Sequence, residues 1–202
     1  MVTRTDLEYS ISALCLAPMY RATQIKRMQR RDFVLCALLS ALPIASVRAD
    51  GDPHAPFAGR FEFVGGDAER KALKDAIDRA VASMFFAIRS TARGKLVEKT
   101  EIAPWFSFQF QDGRITSAAP GAPGVVSPES GAESPYKLNG ETLRVSQRVQ
   151  GGHLVQRFVS DDGARENEYV PNADGKNMLV QVTLTSPHLS RPLRYTLSYA
   201  RK

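Results

Sequence analysis

The sequence predicts a mainly β domain: one strand, one long amphipathic helix, then an antiparallel up-and-down meander long enough to close into a barrel. Three observations carry this. Short runs of alternating apolar and polar residues fill the chain from Gly94 onward. They are divided at intervals of about ten residues by tight-turn pairs such as Asp112-Gly113, Asn139-Gly140, Gly151-Gly152 and Asp174-Gly175. Ahead of them, residues 67–91 switch to a helical period.

The chain opens on segments that address it rather than fold it. Residues 28–49 combine the basic stretch Met28-Gln-Arg-Arg, the apolar run Phe33 to Val47 and the pattern Val47-Arg48-Ala49. That is a positive n-region, an apolar run too short to span a bilayer, and small residues at a cleavage site. It predicts a cleavable export signal, by the twin-arginine route (Arg30-Arg31) or the general secretory route, and a mature chain that is periplasmic or secreted. Residues 1–27 are an over-extended start or an unstructured leader. The domain is residues 50–202, with no stable transmembrane anchor after cleavage.

Removing that segment changes the chemistry under discussion. The whole chain has 27 basic and 21 acidic residues, a formal charge of +6. Seven of the basic and three of the acidic residues lie before Asp50, so the domain carries only +2. A basic balance of that size gives no support to a nucleic-acid partner. Both cysteines, Cys15 and Cys36, also precede Asp50, so the domain has no disulfide, thiolate metal site or cysteine nucleophile.

Within the domain, Asp50 to Pro56 is a polar lead-in. Gly59 to Val64 alternates, with Phe61 and Phe63 on one face, and stops at Gly65-Gly66: a strand and a turn. Asp67 is placed to cap a helix of about 25 residues, with Leu73, Ile77, Val81, Met84 and Ile88 on its buried stripe, Asp75 spaced to pair with Arg79, and Gly94 as the stop. Leu96 to Ile102 alternates weakly; Phe106, Phe108 and Phe110 alternate strongly. Ala118 to Pro135 is rich in Ala, Pro, Gly and Ser, a mobile loop or one holding a short edge contact at Val125-Val126. Strands follow at Tyr136–Leu138, around Leu143, Val145 and Val149, at His153–Ser160, Ala164–Val170, Met178–Leu184 and Leu193–Tyr199.

A first strand, helical cover and a long meander resemble the calycin group, meaning lipocalins and intracellular fatty-acid-binding proteins. Gly59-Arg60-Phe61 is similar to the lipocalin Gly-x-Trp opening, with Phe in place of Trp. Asp162-Gly-Ala-Arg165-x-Asn167-x-Tyr169, Asp174-Gly175 and Val182-Thr-Leu-Thr-Ser-Pro187 resemble exported bacterial proteins of unassigned function that carry a lipocalin-like barrel. The resemblance covers about residues 57–200 and implies a closed barrel more than any activity.

Candidate chemistry is sparse. His54, His153 and His188 have no second ligand at metal-like spacing, and no nucleophile motif accompanies them. They are expected on the surface, with no metal, no cofactor and no catalytic residues. The Asp-Gly pairs are accounted for by turn geometry. Trp105, Phe106, Phe108 and Phe110 form the densest aromatic group, either core or the wall of a cavity. Arg165, Asn167 and Tyr169 share one face of a strand, an unusual polar set that would meet the head group of a ligand if it points inward. The expectation is a non-enzymatic barrel binding a small apolar or amphiphilic ligand, such as a lipid. The alternative is a barrel with a filled core, serving as a structural or protein-interaction module of the cell envelope.

Overall fold

A computed structural model describes residues 51–202; the predicted export signal, its cleavage site and the segment before it lie outside the described residues. Strand β1 (Gly59–Phe63) leads into helices α1 (Gly66–Ala82) and α2 (Phe86–Lys99). Nine strands follow: β2 (Trp105–Gln111), β3 (Arg114–Ala118), β4 (Val125–Pro128), β5 (Ser134–Leu138), β6 (Glu141–Gln150), β7 (His153–Ser160), β8 (Gly163–Pro171), β9 (Asn177–Thr185) and β10 (Leu193–Arg201). They form one antiparallel sheet in the order β4-β3-β2-β1-β10-β9-β8-β7-β6-β5. Only the β1–β10 pairing joins strands distant in the chain, and it wraps the start of the domain onto its end, with Phe61 opposite both Arg201 and Phe106.

The two edges of this sheet, β4 and β5, share no backbone ladder. Side chains tie them instead. The Tyr136 hydroxyl donates to the Pro123 carbonyl at 2.9 Å, and the Gln147 amide donates to the Ser127 hydroxyl and the Ile115 carbonyl, each at 3.0 Å. The result is a nearly closed up-and-down barrel, as the turn spacing predicts. The residues expected to form a short edge contact at Val125-Val126 do so within β4.

The helical cover departs from expectation. Two helices replace one, with the break at Ser83–Phe85, and Gly94 sits inside α2 rather than at its end. The buried stripe of α1 (Leu73, Ala76, Ile77, Ala80, Val81) runs out at Val81, and Phe85 turns extended with ψ 136°. Beyond the break the phase changes: Ile88 is 56 % exposed, and α2 buries only Leu96. Residues Leu96–Lys99, read as a weak strand, finish α2, whose end is closed by the Thr100 hydroxyl donating to the Leu96 carbonyl at 2.7 Å. Gly65, not Asp67, is the N-cap, and Asp75 pairs with Lys71 at 2.7 Å rather than with Arg79.

The stripe on α1 makes a direct prediction. Ile77→Ala should cost about 2–4 kcal/mol in urea unfolding. Lys71→Ala, which removes only an exposed ion pair, should cost less than about 0.5 kcal/mol. Equal losses would mean that another face of α1 docks.

Both ends of the barrel are covered. At the helical end, β1 and β2 stop short of β10, and Glu69 of α1 takes the place of a strand partner. Its carboxylate accepts the Ser198 amide at 2.8 Å and the Ser198 hydroxyl at 2.6 Å. At the other end, the mostly exposed polar lead-in gives way to a plug at Phe57. Phe57 is fully buried, and the Arg201 guanidinium donates to the carbonyls of Ala55, Pro56, Ala58 and Gly175.

Candidate functional site

Alternation along β8 sends Glu166 and Glu168 outward and Arg165, Asn167 and Tyr169 inward, so the polar trio does face the interior. Register extends it sideways. Asn167 lies opposite Gln156 on β7 and Val182 on β9; Gln147 on β6 lies opposite Gln156, and Tyr195 on β10 opposite Val182. Gln147, Gln156, Asn167 and Tyr195 therefore form one transverse row inside the barrel, and all four are buried.

Most of this row is internally satisfied. The Gln156 amide donates to the Ser117 hydroxyl at 2.8 Å and to the Gln147 carbonyl at 3.0 Å. The Gln156 carbonyl accepts from the Tyr169 hydroxyl at 3.0 Å and the Asn167 amide at 3.2 Å. With the Gln147 bonds to β3 and β4, the chain of contacts crosses the interior from wall to wall. Gln147, Gln156, Ser117 and Ser127 were not singled out from sequence. The signal was present, since each sits in phase with the inward apolar residues of its own strand.

Two groups lie at the edge of that network. Arg165 turns toward the helical end, where its Nε donates to Asn167 Oδ1 at 2.9 Å and a terminal nitrogen donates to the Lys99 carbonyl at 3.2 Å. Among the described residues no carboxylate comes within 4 Å of it. The Tyr195 hydroxyl is buried and, among the described residues, has no hydrogen-bond partner. A buried hydroxyl in that state costs about 1–3 kcal/mol, which a bound polar group would offset.

The aromatic set divides by parity. Phe106 packs inward with ring centroids 4.7–5.5 Å from Tyr199, Tyr169, Phe61 and Phe108. Phe108 meets Tyr169 edge-on at 4.8 Å, and Phe110 lies under His54 at 4.4 Å near the plug. Trp105 belongs to the other face of β2, where the Arg60 guanidinium stacks on it at 4.2 Å. Adjacent residues of a strand cannot share a face, so Trp105 is separated from the interior group.

Burial raises the hydroxyl pKa of Tyr136, Tyr169, Tyr195 and Tyr199 above the ordinary phenol value. For Tyr169 the value is pushed up to about 12, the neighbouring Arg165 charge only partly opposing burial. The folded state thus holds its phenolic proton more tightly than the unfolded state. That contribution, on the order of 2–3 kcal/mol for Tyr169, is fully present below about pH 10 and is lost between about pH 10 and 12. Absorbance titration should show these four of the chain's six tyrosines ionising only as the fold opens; ionisation of more than two near pH 10 in the folded protein would contradict their burial.

The histidines are only partly as expected. His188 is exposed, and His153 is half-exposed beside Glu168 at 2.6 Å. His54 is only partly exposed: stacked on Phe110, it contacts Glu129 at 2.5 Å and Asp52 at 3.3 Å. Among the described residues no group of three or more metal-ligating side chains converges. An open hollow of about 310 Å³ at the β7–β8 rim, lined by Val159–Asp161, Gly163, Ala164 and Thr185–Pro187, shares no lining residue with the Arg165–Tyr195 pair.

No protein-family model matches this chain, and no curated protein matches it. Among solved structures, it is similar to the Schistosoma mansoni fatty acid binding protein in complex with arachidonic acid. That match has 13 % identity and a TM-score of 0.48, and covers 75 % of this chain and 99 % of the other. A secretory abundant heat soluble protein from Ramazzottius varieornatus matches at 12 % identity and TM-score 0.48, covering 73 % and 96 %. Zebrafish ileal bile acid-binding protein complexed with cholic acid matches at 10 % and 0.43, covering 73 % and 99 %.

Proposed function

We propose that this is an exported, periplasmic or secreted, non-enzymatic barrel that carries a small amphiphile, its polar end received between Arg165 and Tyr195 beneath the helices. The observation that carries the reading is the buried Tyr195 hydroxyl, unpartnered among the described residues, together with Arg165 directed to the same end without a carboxylate. A filled interior gains nothing from a stranded Tyr195 hydroxyl, whereas a head group would partner it and meet the Arg165 charge. The apolar part of the ligand would lie against the inward aromatic and aliphatic side chains near α1.

Tyr195→Phe gives a test of unusual sign. It should stabilise the ligand-free protein by about 1 kcal/mol, because a stranded hydroxyl is removed. It should also weaken binding of a fluorescent anionic amphiphile several-fold. Arg165→Leu should weaken that binding by about tenfold or more while leaving the fold intact. Unchanged binding in both variants would defeat the reading, as would native mass spectrometry of the envelope-purified protein with no co-purifying apolar molecule.

A second reading, the filled-core structural or interaction module, is favoured by the close packing of Phe106 on four aromatic rings and by the polar chain spanning the walls. It predicts the gain in stability for Tyr195→Phe with no binding to lose.

A further inference from the structure

The turn between the two helices carries an exposed feature that ligand binding in the interior does not use. Phe85 is 71 % exposed and Phe86 78 %, and the two rings meet edge-on at 5.9 Å. Ile88, 56 % exposed, follows on the first turn of α2. Exposed aromatic pairs are uncommon on a water-facing surface, and burying each ring is worth about as much as burying a core phenylalanine. The turn is also fastened rather than loose. The Arg89 guanidinium donates to the Ala82 carbonyl at 2.9 Å and the Met84 carbonyl at 3.1 Å, and the Ser83 and Ser190 hydroxyls bond at 2.8 Å.

The charge around this tip is one-sided. Arg79, Arg89 and Arg191 lie on the last turn of α1, the first turn of α2 and the neighbouring β9–β10 loop, and none forms an ion pair among the described residues. Asp78, the nearest acidic residue in the chain, is occupied by Arg93 at 2.6 Å and Lys74 at 3.9 Å. Asp161, on the β7–β8 turn, lines the rim hollow together with Ser186 and Pro187, whereas the tip meets the β9–β10 loop at Ser190.

We infer that the α1–α2 tip docks on an anionic lipid surface, with Phe85, Phe86 and Ile88 entering the interface and Arg79, Arg89 and Arg191 facing the head groups. Apolar side chains that insert shallowly and cations that meet phosphates are the two contributions such a surface rewards. The complementarity of a basic rim with anionic head groups selects this occupant over a neutral bilayer. The inference is independent of what the barrel holds.

The test places the only tryptophan at the tip. Phe85→Trp in a Trp105→Phe background reports on that site alone, whatever other segment of the full chain touches the lipid. Vesicles of phosphatidylglycerol and phosphatidylcholine should shift its emission to shorter wavelength, with an apparent affinity at least about tenfold above that for phosphatidylcholine alone. Raising the salt, or adding Arg79→Gln with Arg191→Gln, should weaken the response at unchanged melting temperature. No shift on anionic vesicles, or an equal shift on neutral ones, would overturn the inference. So would a concentration-dependent shift without vesicles, which would make a second copy of this chain the occupant.

Discussion

Replacing Gly163 with alanine is expected to destabilise the protein by about 3–5 kcal/mol, the steepest loss for so small a change. Two causes add. Gly163 has φ +144°, a conformation that L side chains rarely adopt. An added Cβ would also stand 2.1 Å from the Thr185 carbonyl oxygen and 3.1 Å from the Ser186 Cα. Both are backbone atoms, at the end of β9 and in the residue that follows it, so relief requires β9 to move, and with it the row that holds Leu184, Arg165 and Phe158 in register. Gly94 supplies the contrast, because it lies inside α2 with nothing within 4 Å of an added Cβ. Gly94→Ala should stabilise by about 0.5–1 kcal/mol through helix propensity. Urea unfolding of the two variants checks the pair, and similar effects at both sites would refute the close approach of β8 to β9.

Some of this architecture is legible in the sequence and some is decided only by tertiary packing. Strands announced themselves because a barrel wall has a wet face and a dry face, and period two records that difference residue by residue. The Arg165–Asn167–Tyr169 parity was readable for this reason, and so was the division of Trp105 from its phenylalanine neighbours, although the four were grouped. The helix break was not readable. Ser83-Met84-Phe85-Phe86 holds no proline or glycine, and its apolar residues continue a plausible stripe that only tertiary packing interrupts. The anchoring of residues 55–58 by Arg201 was not readable, because it runs through three backbone carbonyls, which leave no side-chain pattern. The interior glutamines were visible as polar residues in an apolar phase, but what they bond to depends on strands 20 to 39 residues away in sequence.

Those glutamines support the second large effect. Gln156→Leu should cost about 4 kcal/mol or more, despite keeping volume and adding apolar surface. Leucine would strand the hydroxyl of Ser117 and the carbonyl of Gln147, and would leave the Tyr169 hydroxyl and the Asn167 amide only their 3.4 Å contact with each other. Each buried group left unpaired costs about 1–3 kcal/mol, and the penalties are shared rather than summed, since neighbours relax together. Tyr169→Phe alone removes the hydroxyl that donates to Gln156 at 3.0 Å and accepts a long contact from Asn167 at 3.4 Å, and should cost only about 0.5–1.5 kcal/mol. Combining the two should cost less than their sum, by about 1 kcal/mol, because the phenol that loses its acceptor in Gln156→Leu is no longer there. Strict additivity in that cycle would mean that the crossing network is not formed. Amphiphile affinity supplies a separate measurement. Gln156→Leu that folds yet binds as the unaltered protein does would assign the network to holding the walls together, and leave Arg165 and Tyr195 as the groups that meet the ligand.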